Sequence, residues 1–334
     1  METGYRVLAS GAAASEGAAR RAFGVEVLIG LSQKPKRLSS RWLYDAVGSA
    51  QFEAICDLDE YYLTRAEFDV FERHRAELCD RFVGEPLDVV DLGAGDGRKT
   101  SVLIEHLLSR GADVRYVPID ISEPAMKGLV ASMAQRFPSL PVAGLVSEYF
   151  DGVRWLAEQN KRKRLVLFLG SNIGNFDKPH ARAFLQQLWS ALAPGDHAIV
   201  GFDLKKDIEL LLAAYNDREG VTADFNLNLL DRINRELGGD FDRSKFRHFA
   251  TYNVFSGAME SYLVSLEAQS VRIGALRQRF DFGPWEPIHT EYSYKYLPDD
   301  ILSLAAFAGF EVEGMYHDSR KLFCDALWRV KSAP

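Results

Sequence analysis

The chain has 334 residues, enough for about two domains at roughly 150 residues each, and 47% of them are hydrophobic, which supports a substantial core. It carries 40 basic and 47 acidic residues, a net charge of −7, so no basic field marks a nucleic-acid binder. The three cysteines, Cys56, Cys79 and Cys324, form no CxxC pair and no His/Cys cluster. That excludes a disulfide framework and a Cys/His metal site and fits a reduced, cytoplasmic setting. No apolar run approaches ~20 residues, so no membrane span is expected.

Residues 1–20 read as a disordered leader, rich in small residues and without the charged and apolar regions of a signal peptide. Residues 23–31 have helical apolar spacing, and 40–55 read as a helix or a pair of short ones. Thr64-Arg65-Ala66-Glu67 has the form of a capping box opening a helix to about Phe82. A regular alternation follows: strand 87–92, helix 98–110, strand 114–121, then a helix after Ser122 with Pro124 in its first turn. Strand 141–147, helix 151–160, strand 164–169, helix 178–193 and strand 197–203 complete it. Such repeats predict an α/β fold with a parallel, Rossmann-like sheet whose ligands bind at the strands' carboxyl ends. The basic run Lys161-Arg162-Lys163-Arg164 lies between a helix and a strand and reads as a solvated loop.

The rhythm breaks after Leu204. Helices at 206–217 and 223–237, two extended segments within 246–270 and a third at 287–296 read as an inserted α+β region. A helix at 298–308 and strands at 310–317 and 321–331 return to the sheet, the last pair as an antiparallel edge hairpin. The expected sheet has seven strands. The expected division is 65–205 with 297–334 for the sheet domain, and 21–64 with 206–296 for a substrate-binding domain.

The chemistry concentrates at strand ends. Asp91-Leu92-Gly93-Ala94-Gly95-Asp96-Gly97 brings bare backbone to a ligand between a buried strand and a helix. A dinucleotide site needs its third glycine one step later, where Arg98 stands. The spacing fits S-adenosylmethionine better; a glycine-rich surface turn is the plain alternative. Asp120 ends the next strand, placed for ribose hydroxyls or as a loop carboxylate. Glu148 and Tyr149 end the third, as an adenine edge and wall or as an outward-turning strand end. Asn175, in Gly170-Ser171-Asn172-Ile173-Gly174-Asn175, offers an amide to a substrate carboxylate or amine, or serves the turn. On a strand at 287–296, His289, Glu291 and Ser293 share one face. A carboxylate and a hydroxyl two residues apart suit a ring with two N–H groups, such as imidazole, or a polar edge. Tyr61 and Tyr215 read as core anchors.

Taken together, Tyr44-Asp45-Ala46-Val47-Gly48-Ser49, Phe52, Glu60-Tyr61-Tyr62-Leu63-Thr64-Arg65, Asp91 to Gly95, Lys99-Thr100, Phe168 to Asn175, Phe225-Asn226 and Thr290-Glu291-Tyr292-Ser293 resemble the histidine-specific Nα-methyltransferases of ergothioneine biosynthesis. The resemblance runs from about Phe23 to the C-terminus. It implies a class I methyltransferase sheet that binds S-adenosylmethionine, no metal, and L-histidine as a substrate trimethylated to hercynine by a cytoplasmic monomer. It implies Tyr61, Asn175 and Tyr215 on the substrate carboxylate, Glu291 and Ser293 on the imidazole, and Tyr44 and Phe52 beside the amine. It implies Gly93 and Lys99 on the methionine part of the cofactor, with Tyr44 nearby, Asp120 on the ribose, and Glu148 with Tyr149 on the adenine. Two positions depart from the family pattern: Glu148-Tyr149 replaces Asp-Phe, and Ser261 stands where a Met lines the imidazole side. Two other readings are an N-methyltransferase of another amino acid, such as a tryptophan derivative, and a non-catalytic module that senses the cofactor.

Overall fold

A computed structural model describes residues 3–8, 16–159 and 162–331. In chain order the first half runs β1 (Gly4–Val7), α1 (Glu16–Ser32), β2 (Lys36–Arg37), α2 (Ala46–Asp57), α3 (Tyr62–Cys79), β3 (Leu87–Leu92), α4 (Arg98–Ser109), β4 (Val114–Asp120), α5 (Glu123–Arg136), β5 (Ala143–Val146) and α6 (Tyr149–Gln159). The second runs β6 (Lys163–Phe168), α7 (Lys178–Ser190), β7 (His197–Asp203), α8 (Ile208–Tyr215), α9 (Val221–Leu237), β8 (Phe246–Asn253), β9 (Ala258–Ser265), β10 (Gln269–Ile273), β11 (Gln278–Phe282), β12 (Pro287–Tyr294), α10 (Pro298–Ala308), β13 (Phe310–His317) and β14 (Phe323–Val330). These elements fall into two compact units. One holds the described residues of 1–10, Arg65–Lys205 and the described residues from Tyr296 on; the other holds the described residues of 11–64 and Lys206–Lys295.

The first unit is built on an eight-stranded sheet in the order β1-β5-β4-β3-β6-β7-β14-β13. Strands β1 and β3 to β7 pair in parallel, and β14 runs antiparallel to both β7 and β13. β3 is buried along its whole length. Its carboxylate Asp88 is tolerated inside because Arg115 binds it through two N–H groups, at 2.9 and 2.6 Å, and Arg162 adds a third at 2.9 Å. Arg162 therefore belongs to the sheet's ion pairing and not to a purely solvated loop; Lys161 lies outside the described residues. The chain winds from β3 through β4 to β5, then returns to the other side of β3 for β6 and β7. That reversal leaves the loops after β3 and β6 diverging at neighbouring strand ends.

The strand count is one higher than the sequence suggests, and the leader is the reason. β1 lies parallel to β5, Gly4 to Val7 opposite Ala143 to Val146, and Tyr5 donates a 3.0 Å hydrogen bond to Glu123. Helix α1 also begins inside the expected leader, at Glu16; residues 1–2 and 9–15 lie outside the described residues. Pairing with β5 covers a sheet edge that would otherwise be open. A four-residue strand containing glycine leaves almost no periodic signal. The helix expected to open at Thr64 begins earlier, at Tyr62, so Thr64 lies inside its first turn and caps nothing.

The second unit has a four-stranded sheet, β2-β12-β9-β8, with the hairpin β10-β11 beside it in sequence. The extended region expected up to 270 is broken at Ser265, and this added hairpin follows. Asp45 ties the unit's helices together: it accepts from the Gly48 N–H at 2.8 Å, capping α2, and from Asn228 of α9 at 2.8 Å. Gly30 of α1 faces the backbone of β2, where a Cβ would sit 2.0 Å from the Arg37 carbonyl oxygen. Gly30→Ala is therefore expected to lower the thermal unfolding midpoint by roughly 3–10 °C, since overpacking costs about 1–3 kcal/mol. An unchanged midpoint in a calorimetric scan would contradict this packing.

Candidate active site

In the sheet unit, the carboxyl ends of β3, β4, β5 and β6 carry the candidate cofactor residues. Gly93, Gly95 and Gly97 all have positive φ, at 73°, 55° and 70°. Side chains rarely adopt that conformation, so the turn can keep its shape only with glycine. A Cβ at Gly93 would sit 2.8 Å from the Tyr149 hydroxyl, whereas one at Gly95 would meet nothing within 4 Å. The bare turn is thus walled on one side by Tyr149 and open on the other. Asp91, just before it, points inward and accepts from Thr100 at 2.5 Å and Tyr116 at 2.9 Å. Burial raises it to about 6 while those two bonds pull it down.

Asp120 stands half-buried at the end of β4, its Oδ1 accepting from the Ser122 N–H at 2.8 Å. Burial raises it and the loop N–H groups lower it. Its loop role on one oxygen leaves the other oxygen at the strand end. Ser122 itself accepts from Ala125 as the cap of α5. Glu148 is exposed, and Tyr149 opens α6 with its ring edge-on to Phe168 and Phe184. Burial pushes the Tyr149 phenol up, so it remains a neutral donor.

After β6 the chain takes two left-handed residues in succession, Gly170 and Ser171. Ser171 is held there by accepting the Asp203 N–H on its Oγ at 3.0 Å. A short 3-10 turn, Asn172–Asn175, follows, with Asn175 half-buried at its end. Lys99, in the first turn of α4, has its ammonium 3.4 Å from where a Gly170 Cβ would lie. It donates to Glu67, which is completely buried and accepts the Gly170 N–H at 2.7 Å. Glu67 is a residue that sequence reasoning misassigned, since T-x-x-E read as a cap hid a buried acid facing a lysine.

In the inserted unit, aromatic rings form a continuous series. Tyr44 meets Phe52 and Phe225, each at 5.4 Å, Phe52 meets Tyr61 at 6.2 Å, and Tyr61 meets Tyr215 at 6.3 Å. Tyr61 is buried, and burial first, then Tyr215, hold its phenol well above the usual range. It is a hydrogen-bond donor at any ordinary pH. Asn226 fixes α9 to β12 by accepting from Thr290 at 2.9 Å.

β12 carries Glu291 and Ser293 on one side, and Lys295 follows just past its end. Tyr215 and Ser293 share a 2.7 Å hydrogen bond, and Lys295 donates to both at 2.8 Å. Lys295 is buried and was not singled out by the sequence, although its i+2 and i+4 spacing from Ser293 and Glu291 places it on their face. His289 does not share that face. The register slips between His289 and Glu291, and the His289 ring lies tilted 4.0 Å from Tyr292 and edge-on 5.2 Å from Tyr262 instead. A one-residue bulge reverses the alternation, which period-two reading could not foresee. Buried there, His289 is lowered to about 4 and stays neutral. Ser261 lies directly opposite Glu291 on β9, presenting a short side chain beside it.

The donor set fits S-adenosylmethionine: a bare backbone turn, a lysine, an acid at the second strand end and an aromatic wall at the third. No phosphate-type cradle is needed, and among the described residues no group of His, Cys, Asp or Glu could hold a metal ion. No helix of the described residues is long and apolar enough to cross a membrane. With β14 lying antiparallel between β7 and β13 at one edge of the parallel sheet, the fold and the turn define a class I, S-adenosylmethionine-dependent methyltransferase. Residues 23–330 match the model of the family described as "histidine-specific methyltransferase, SAM-dependent", and the chain belongs to that family. It is 36% identical over 284 residues to the histidine N-alpha-methyltransferase of Mycolicibacterium smegmatis, covering 85% of this chain and 87% of that one. It is 36% identical over 294 residues to the enzyme of the same description from Mycobacterium tuberculosis, covering 88% and 90%. It is 30% identical over 282 residues to ergothioneine biosynthesis protein 1 of Neurospora crassa, covering 83% of this chain and 31% of that longer one.

Burial raises Glu291 to about 7, with Lys295 pulling in the opposite direction. A carboxyl raised in the folded state stabilises the fold fully below its unfolded value and loses that contribution as pH rises through the folded one. Wild-type protein is therefore expected to lose stability relative to Glu291→Gln between about pH 4.5 and 7, the midpoints converging at low pH. Thermal melts of both proteins across this range test it; parallel profiles would place Glu291 in a solvated setting.

Proposed function

We propose that this methyltransferase acts on the α-amine of L-histidine, adding methyl groups up to the trimethylated product hercynine in ergothioneine biosynthesis. The observation that carries the reading is the half-buried acid Glu291 beside Ser293 on β12, with Lys295 following on the same face. An imidazole presents two ring nitrogens and can satisfy both the carboxylate and the hydroxyl. An indole has a single N–H and can meet only one of them. Ser261 opposite Glu291 leaves room for the ring's edge.

The other roles follow from chemistry and family resemblance. Tyr61, Tyr215 and Asn175 donate to the substrate carboxylate. Gly93 and Lys99 hold the methionine end of the cofactor, Asp120 its ribose, and Glu148 with Tyr149 its adenine. S-adenosylmethionine supplies an electrophilic methyl on a sulfonium and leaves as S-adenosylhomocysteine. The residues around the amine include no strong base, so positioning and exclusion of water dominate. An α-amine with an ordinary pKa near ~8 must shed its proton before it attacks, and a water beside Tyr44 accepts it. Each methyl makes the product bulkier, and the last leaves a fixed positive charge. The Tyr44, Phe52 and Phe225 faces attract such a cation by roughly 0.5–2 kcal/mol. The unpaired cysteines and the net charge of −7 support a cytoplasmic, monomeric enzyme without a nucleic-acid partner.

Incubation with S-adenosylmethionine and a mixture of amino acids, read by mass spectrometry, is the direct test. Histidine alone should gain methyl groups, up to three; methylation of a tryptophan derivative, or of nothing, would overturn the proposal. Glu291→Ala is expected to raise the histidine KM by about tenfold or more, the value of a lost charged hydrogen bond. Asn175→Ala should weaken every α-amino acid substrate alike, and a defect confined to histidine would remove Asn175 from the carboxylate.

A further inference from the structure

Glu67 is buried without exposed surface, yet neither the family motif nor the roles above use it. It lies on α3 and bridges two other elements. One oxygen accepts the Gly170 N–H at 2.7 Å, and the other accepts from Lys99. Its Oε1 occupies space above β7, where a Cβ on Gly201 would approach it to 2.6 Å. Gly201 is paired in register with Asp325 of β14. Residues paired across antiparallel strands project to one face about 5 Å apart, so the Asp325 carboxyl adjoins that of Glu67. Both Asp325 oxygens are buried and have no hydrogen-bond partner among the described residues.

Two carboxylates in one dry site do not both ionise. Glu67 accepts from Lys99 and from the Gly170 N–H, whereas Asp325 has no donor among the described residues, so the proton of the pair sits on Asp325. The electrostatics agree: burial first and Glu67 second push Asp325 well above the usual range, against the pull of Lys99. Asp91 adds a third carboxylate near Lys99. A neutral Asp325 keeps the lysine from being outweighed before an anionic ligand group arrives.

We propose that Glu67 is a positioning residue for methyl transfer: one oxygen aims the Lys99 ammonium at the cofactor's methionine end, and the other fixes the Gly170 turn leading into Asn175. This rests on the cofactor role given to Lys99 and the substrate role given to Asn175 above. Glu67→Gln separates the two tasks, because its amide oxygen still accepts from Gly170 while the charge facing Lys99 is gone. Glu67→Ala removes both.

The test is calorimetric titration of the full chain with S-adenosylhomocysteine, without histidine, alongside steady-state kinetics. Glu67→Gln is expected to weaken S-adenosylhomocysteine about tenfold while the histidine KM stays within about threefold, the loss corresponding to one charge-assisted contact. Glu67→Ala should weaken both by about tenfold. A merely structural residue would lower the melting midpoint without this split. Asp325→Asn, neutral by construction, should bind S-adenosylhomocysteine within about threefold of wild type. Unchanged affinity in Glu67→Gln, or a loss in Asp325→Asn as large as that in Glu67→Gln, would overturn the proposal. If Glu67→Gln does not fold, Glu67→Asp keeps the charge but retracts it by one methylene. It should weaken binding about fivefold, and unchanged affinity again overturns the assignment. Wild-type protein that binds no S-adenosylhomocysteine would instead refute the cofactor reading on which the proposal rests.

Discussion

The structure of the sheet unit depends on one topological constraint, the reversal of strand order beside β3. β4 and β5 extend the sheet one way, β6 and β7 the other. Right-handed crossovers place the connecting helices on opposite faces, so the loops leaving β3 and β6 part from one another. Both loops respond to that opening with left-handed backbone, Gly93 to Gly97 after β3 and Gly170 with Ser171 after β6. Only Ser171 is a residue with a Cβ, and it is held by its own hydroxyl against Asp203. Conformational strain and ligand chemistry thus fall on the same few residues, because a bare turn both fits the crevice and presents N–H groups to it.

How far the sequence disclosed this follows from how local each signal is. β3 is legible to the residue because a short Val/Leu-rich segment is bounded by Pro86 and Gly93. α10 is equally clear, opening at Pro298 and stopping before Gly309 at φ 97°. β1 is not legible, since its only reason to be extended is a partner about 140 residues away. The glycine turn and the acid after β4 were readable as a cofactor pattern because their spacing is short. The Glu67 network was not, since its members come from α3, α4 and β14 and only the fold brings them together. Thr64 and Glu67 even supplied a misleading local motif: the spacing of a capping box is also one helical turn, which serves a buried acid equally well.

The inserted unit shows the complementary limit. The strand at 287–294 was legible, but its faces were not, because a single slip between His289 and Glu291 exchanges them. The slip puts His289 and Glu291 on opposite faces, where a regular strand would have kept them together. His289 goes to the tyrosine side and is kept neutral by burial, while Glu291 is left on a face with Ser293 and Lys295. Had His289 stayed beside Glu291, its own imidazole would compete for the carboxylate that the substrate's ring is proposed to use. The bulge turns His289 away from Glu291, so no side-chain imidazole of this strand faces that carboxyl.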